Sequence, residues 1–313
     1  MGILTTFSQL LNALPGAVSQ GLIWGIMAIG IYLTYRILDI ADLTVDGSFA
    51  TGGAVGVICI LNGWNLWLSM LMAFVAGLLT GLLTSVFHIF MGIPAILSGI
   101  LSQLSLYSIN LKILGKSNQS VNVNNTDLLV SLRWVREFAI RNPIITVGII
   151  IIALIAILYW FFGTEMGCGI RATGANMNMS RAQGINTNLN KIIGLMLSNG
   201  LVAFSGALLA QYQGYADVNM GRGGIVIGLA AVIIGEAVFG KIFKNFALKL
   251  LSVAIGAVIY YIVVQAVITL GFDANLLKLL SAMIVAVFLA VPFWKGKFLR
   301  PNVLAKKEVK TNA

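Results

Sequence analysis

Apolar runs of 18 or more residues recur along the whole chain, separated by short polar stretches that hold most of the charge. Runs of that length are the signature of membrane-spanning helices. The pattern predicts nine hydrophobic segments, at about 15–36, 45–62, 65–89, 93–114, 144–163, 191–212, 224–240, 246–270 and 276–294. Several are interrupted by Gly, Pro or polar residues, so broken or re-entrant helices are expected among them. Stretches of strict apolar–polar alternation are missing, which excludes an outer-membrane barrel. The expected fold is all-α and polytopic, with about 8–10 transmembrane helices.

Composition supports this reading, since 59% of residues are hydrophobic and 10% are charged, against about 25% charged in a soluble domain. The net charge of +10 does not point to nucleic acid, because the cations lie between apolar runs and in the tail "KGKFLRPNVLAKKEVK". They read as topology determinants and contacts to lipid headgroups. Alternate loops divide them unequally. One set holds Arg36, Arg171, Arg181, Lys191, Lys241, Lys244, Lys249 and the six after Trp294, thirteen in all, and the other holds seven. The richer set is expected on the cytoplasmic side, with the N-terminus outside and the C-terminus inside. The first apolar run lacks a basic leader and a cleavage site, so it is expected to stay as an anchor. Residues 1–295 then form the membrane domain and 296–313 a basic cytoplasmic tail. Residues 115–143 form an extracellular loop and 164–190 a cytoplasmic one.

A faint internal symmetry joins 45–89 to 224–270. Each begins with a Gly-rich polar stretch ("DGSFATGGAV", "MGRGGIVIG") and runs a small-residue helix, a short loop and a long helix. The two units start from opposite sides, so the repeat is inverted. The spacings Gly77/Gly81 and Gly200/Gly206 suit close helix–helix contact.

Embedded polar residues need a reason, because a charge at the bilayer centre costs about 2.5–3.5 kcal/mol on insertion scales. Asp39, Asp42 and Asp46, half of the six aspartates, cluster beside Arg36. Asp42 and Thr44 are expected to cap the second helix, and Asp46 and Ser48 to flank a bend at Gly47. Pairing of the cluster with Arg36 is expected, with a gating role as the sharper reading of Asp42, Thr44, Asp46 and Ser48. Glu236 is expected to pair with Lys241 or Lys244. The fourth span is the most polar, and Gln103, Tyr107 and Asn110 recur on one face. With Asn199 and Gln265 they are the candidates for a translocation path. His88 reads as interfacial. No nucleophile-plus-base pattern, metal-ligand spacing or Gly-x-x-x-x-Gly-Lys-Ser/Thr loop occurs, so the chain is not expected to be an enzyme or to bind ATP itself.

The segment "GIRATGANMNMSRAQGINTNLNKIIGLMLSNGLVAFSGALLAQYQGY", Gly169 to Tyr215, resembles the permease subunits of ABC importers for ribose and branched-chain amino acids. The family loop reads Gly-x-Asn-x-x-Ala-x-x-x-x-Gly-Ile, and Gly174, Asn176, Gly184 and Ile185 fit it, with Arg181 between them. Asn178-Met179 stand where the family often has Ala-Ala. "ADLTVDGS" is similar to the family's Ile-Asp-Leu-Ser-Val-Gly-Ser element, and "DLTVDGSF" resembles a branch of tryptophan/tyrosine-type permeases. The resemblance implies a two-fold dimer, cytoplasmic ATPases carrying ATP and Mg, an extracytoplasmic binding protein, and an amino acid as cargo. It also implies a coupling helix at Gly174, Asn176, Asn178, Ser180, Arg181 and Gly184. An ion-coupled secondary transporter using Asp42, Asp46 or Glu236 is the competing reading.

Overall fold

A computed structural model describes residues 2–121, 128–136 and 142–270, with isolated positions between 279 and 290. The expected ninth segment and the basic tail lie almost wholly outside the described residues. Ten α-helices are described. Long ones are α1 (Gly2–Tyr32), α3 (Leu66–Ser85), α4 (Ala95–Leu114), α5 (Pro143–Gly163), α8 (Thr187–Gln213) and α10 (Phe246–Thr269). Two apolar helices are shorter, α2 (Val45–Leu61) and α9 (Gly224–Phe239), and α6 (Glu165–Ala175) and α7 (Met177–Ala182) fill the loop before α8. Among the described residues, five helices are long and apolar enough to cross a membrane: Ser8–Ile37, Leu66–Phe90, α5, α8 and α10. Helices suit that setting because they satisfy their backbone hydrogen bonds internally.

Two helices form the centre. The apolar window of α1 is 78% buried and that of α8 72%, against 22% for α5. They run antiparallel and are stitched by a ladder that repeats every seven residues. Ser198 and Ser205 donate to the carbonyls of Gly30 and Ile23 at 2.7 Å, and Tyr212 donates to Gly16 at 3.4 Å. Hydroxyl bonds of this kind hold membrane helices together where lipid offers no hydrophobic drive for association.

Each central helix carries a short and a long companion. α8 packs against α2 and α3, and α1 against α9 and α10. Direction is conserved in the exchange. Ser48 meets Asn199 and Gly56 meets Ala207, so α2 runs parallel to α8. Gly224 meets Trp24 and Gly228 meets Ile31, so α9 runs parallel to α1. The long companions are antiparallel to their partners, through Gly77 and Gly81 on α8 and Gly21 and Gly25 on α10. The inverted repeat expected from the sequence is therefore present, and it extends to α1 and α8.

At the end where α4 and α8 finish, strands β1 (Asn118–Ser120) and β2 (Tyr215–Asp217) pair antiparallel. The described part of the 115–143 segment folds down onto this end: Val121, Leu128 and Val130 are buried, and Leu129 N–H donates to Gln211 Oε1 at 3.1 Å. Both α1 and α3 finish at the opposite end in a wide turn, Leu33–Ile37 and Val86–Phe90.

Backbone-to-backbone contact makes some glycines irreplaceable. A Cβ on Gly52 would overlap the Ala203 carbonyl, whereas one on Gly148 would meet nothing within 4 Å. Gly52→Val should lower thermal stability of the purified protein by about 1–3 kcal/mol. Gly148→Val should stay within about 0.5 kcal/mol of the parent.

Candidate functional site

After the wide turn at the end of α1 the chain does not remain at the bundle end. Asp39 takes a positive φ of 55°, a left-handed conformation that Asp tolerates better than most residues. Residues 40–44 then climb back between α3 and α8. Asp42 Oδ1 accepts from Thr44 N–H at 2.8 Å, and Oδ2 accepts from Asn199 Nδ2 at 2.7 Å. Asn199 Oδ1 accepts from Ser48 at 2.6 Å, and the Ser48 hydroxyl also meets Thr80 Oγ1 at 2.8 Å. Thr44 meets Thr84 at 2.7 Å, and Thr84 donates to Ser102 at 2.9 Å. Every one of these side chains is 4% exposed or less. The network ties four helices at one level, and each member left unsatisfied would cost about 1–3 kcal/mol. Of the two expected caps of α2, Asp42 accepts from the N–H of the N-cap residue Thr44, whereas the Thr44 hydroxyl makes no cap bond and turns to Thr84 instead. Thr80, Thr84 and Ser102 were not singled out, although the Thr80/Thr84 spacing of four marks one polar helix face.

Asp46 does something the sequence did not show. Its Oδ2 accepts from Gly223 N–H at 2.9 Å and its Oδ1 from Ile225 N–H at 3.0 Å. One residue in the first turn of α2 thus caps the N-terminus of α9, 177 residues away. The N-cap position of α9 is Gly223, at φ 86°, and supplies no side-chain cap of its own. Close approach is required, because a Cβ on Gly221 would overlap the Asp46 carbonyl. That explains the Gly-rich "MGRGG".

The junction sits near the middle of the surrounding helices. Gly224 touches Trp24 and Met27, close to the midpoint of the Ser8–Ile37 span, and Gly47 touches Gln103 and Leu106, mid-way along α4. Two helix N-termini, each the positive end of a helix dipole, converge there from opposite directions. Beside them lies a cavity of about 380 Å³ lined by Asp46, Gln103, Tyr107, Asn110 and Arg222, with Val218 and Leu104 as its apolar part. Asn110 is 1% exposed, its Nδ2 reaches Gly47 O at 3.4 Å, and its Oδ1 has no partner. Among the candidates for a path, the structure brings Gln103, Tyr107 and Asn110 together on this wall. Asn199 is locked in the buried network instead, and Gln265 lies on α10, half-buried, outside the lining.

Two expected ion pairs differ. Arg36 Nε donates to Glu236 Oε1 at 3.1 Å, not to the aspartates, and Glu236 does not pair with Lys241 or Lys244. Re-entry after Leu38 carries Asp42 and Asp46 away from Arg36, while the parallel course of α9 brings Glu236 beside it. Both partners are well exposed, so the pair contributes little to stability.

The 164–190 loop is ordered by its own polar residues. Asn176 Oδ1 accepts from Met179 N–H at 3.0 Å, capping α7, and Ser180 Oγ donates to Asn176 O at 2.9 Å. Arg181 Nε donates to Thr187 Oγ1 at 2.9 Å, and Gly184 ends the turn at φ 80°. Asn178, Met179 and Arg181 face outward, and Met179 is 59% exposed. Gly174 faces inward. A Cβ there would overlap the Ile37 carbonyl, and one on Gly194 would overlap the Leu38 side chain. The loop is therefore seated on the turn from which the chain re-enters.

A helical membrane protein built from an inverted repeat, with two interrupted helices meeting on a polar cavity at mid-depth, has the architecture of a transporter. Residues 14–291 match the family described as "Branched-chain amino acid transport system / permease component", and the chain belongs to that family. It is 37% identical over 280 residues to the tyrosine transport system permease protein of Clostridioides difficile (strain R20291), covering 90% of this chain and 91% of that one. It is 34% identical to protein RP368 of Rickettsia prowazekii (strain Madrid E), over 90% of this chain and 98% of that one. It is 27% identical to the fructose import permease protein FruF of Bifidobacterium longum (strain NCC 2705), over 87% and 75% respectively. The chain is thus an ABC importer permease of the branched-chain amino acid and sugar family, a multi-pass protein of the cell membrane.

Asn199 is the hub of the buried network. Asn199→Leu keeps the number and branching of the heavy atoms but removes a partner of both Asp42 and Ser48, and should lower unfolding stability by about 2–3 kcal/mol, as a fall in melting temperature of the purified protein.

Proposed function

We propose that this permease carries an amino acid, aromatic or branched-chain, along a route that includes the Asp46–Arg222 cavity. The observation that carries the reading is the pairing of a carboxylate and a guanidinium on one wall with the amides of Gln103 and Asn110. A zwitterion offers opposite charges to both, and a sugar offers neither. The tyrosine transport permease relative supports the same cargo class. Two copies of the chain form the translocating unit. Two ATPases, holding ATP and Mg, drive it from the cytoplasm, and an extracytoplasmic binding protein delivers the cargo to the 115–143 face. The Arg36 end faces the cytoplasm, as the distribution of Lys and Arg favours.

Coupling runs through α7. Its outward residues Asn178, Met179 and Arg181 seat in the ATPase, and Gly174 passes the movement to Ile37–Leu38 and so to the re-entrant segment. ATP on the partner shifts the balance between outward- and inward-open states by its differential affinity for them. The family match, to permease components of branched-chain amino acid transport systems, favours this reading over an ion-coupled carrier.

The test is uptake by proteoliposomes holding the permease, its ATPase and its binding protein, offered labelled tyrosine, leucine and ribose. ATP-dependent accumulation of an amino acid is expected, and Arg181→Glu should reduce it about tenfold or more by charge reversal at the contact. Uptake on an ion gradient alone, or of ribose in preference, would overturn the reading.

A further inference from the structure

At the Arg36 end of the bundle a cavity of about 660 Å³ opens between α1, α6 and the start of α10. Its wall holds four cations, Arg36, Arg171, Lys244 and Lys249. Among the described residues one acid is paired there, Glu236 with Arg36. The N-terminal turn of α10 also lines it, through Phe246 and Lys249. That turn contains no acid, and its N-cap Asn245 makes no side-chain hydrogen bond to it. Lys249 therefore lies against a helix end of its own sign, which costs free energy unless an anion shares the cavity.

A second cavity, of about 450 Å³, adjoins the first and shares Arg171 and Phe246 with it. Its other walls come from the end of α5, with aromatic Tyr159, Trp160 and Phe162 beside Gly163 and Thr164. Trp160 is 72% exposed, and α5 is the least buried of the five apolar spans, so this side meets lipid. Arg171 stands at the seam, its guanidinium carbon 5.6 Å from the Phe246 ring centre, within cation–π range.

We propose that the joined cavities bind an anionic phospholipid. Its phosphate lies among Arg171, Lys244 and Lys249, with Arg36 at the rim, and the start of an acyl chain lies along Trp160 and Phe246. Basic pockets between helices at a membrane surface take anionic headgroups, and Trp and Tyr favour the same interfacial level. A free phosphate ion would use the first cavity alone. The continuity with an aromatic groove on the lipid-facing side selects a lipid. The first cavity also touches Ile37 and Gly174 of the coupling route, but its test does not depend on cargo or on the ATPase.

The full chain would be purified from nanodiscs holding phosphatidylglycerol and phosphatidylcholine in equal amounts, and the lipid retained would be measured by native mass spectrometry. Phosphatidylglycerol should be enriched on the parent protein. Neutralising Arg171, Lys244 and Lys249 to Gln should weaken its retention by about fivefold per cation. Lys112→Gln with Lys116→Gln, at the other end, should leave it unchanged. Trp160→Ala should weaken retention in a protein whose cations are intact, which keeps the test decisive if the triple variant folds poorly. Excess inorganic phosphate at constant ionic strength should not displace the lipid. Equal retention of both lipids, no loss in the triple and Trp160 variants, or full displacement by phosphate would overturn the proposal.

Discussion

A helix leaves its first N–H groups without partners of its own, and one that begins midway along its neighbours must find acceptors there. That constraint governs the centre of this permease. The helix α9 starts near mid-depth behind a run of glycines that offer no capping side chain, and Asp46, from the first turn of α2, accepts from two of its orphan N–H groups. A carboxylate is the suitable acceptor because it carries the charge that the positive helix end attracts. The same contact requires Gly221, since any Cβ would push the two backbones apart. Charge in the apolar layer, the glycine run and the shortness of α2 and α9 thus have one cause.

The rest of the bundle holds this junction in place. The ladder from Ser198, Ser205 and Tyr212 fixes the depth of α8 against α1. The Asp42–Asn199 network then fixes the re-entrant segment against α8. At the bundle end, Gly174 brings the 164–190 loop, and Gly194 the first turns of α8, onto Ile37 and Leu38, where that segment begins. A displacement of the loop has a short, continuous route of backbone contact to Asp46 and its cavity. Cavity and loop are linked through the non-helical segment 38–44.

Much of this was legible in the sequence. Spacing and apolar length placed α2 at 45–62, where it runs Val45–Leu61, and α10 at 246–270, where it runs Phe246–Thr269. The inverted repeat followed from two Gly-rich stretches, and the Gln103–Tyr107–Asn110 face from helical periodicity. What sequence could not show was pairing over long distance. Asp46 bonds to backbone N–H groups, which carry no residue identity, so nothing in "VNMGRGGIV" advertises an acid as its partner. The ladder on α1 ends at backbone carbonyls for the same reason. Arg36 was expected to pair with its neighbours in sequence. The re-entrant turn separates them, and the parallel packing of α9 supplies Glu236 instead.

The central claim, that the Asp46 carboxylate holds the start of α9, is tested most directly by hydrogen exchange at the Gly223 and Ile225 amides in nanodiscs. The cavity beside them gives water a route in, so protection reports the bond and not mere burial. In the parent protein these amides should exchange slowly. In Asp46→Ala they should exchange about tenfold faster, as loss of a helix cap of about 1–1.5 kcal/mol implies, while amides of α8 stay unchanged. Equal exchange with and without the carboxylate would contradict the account.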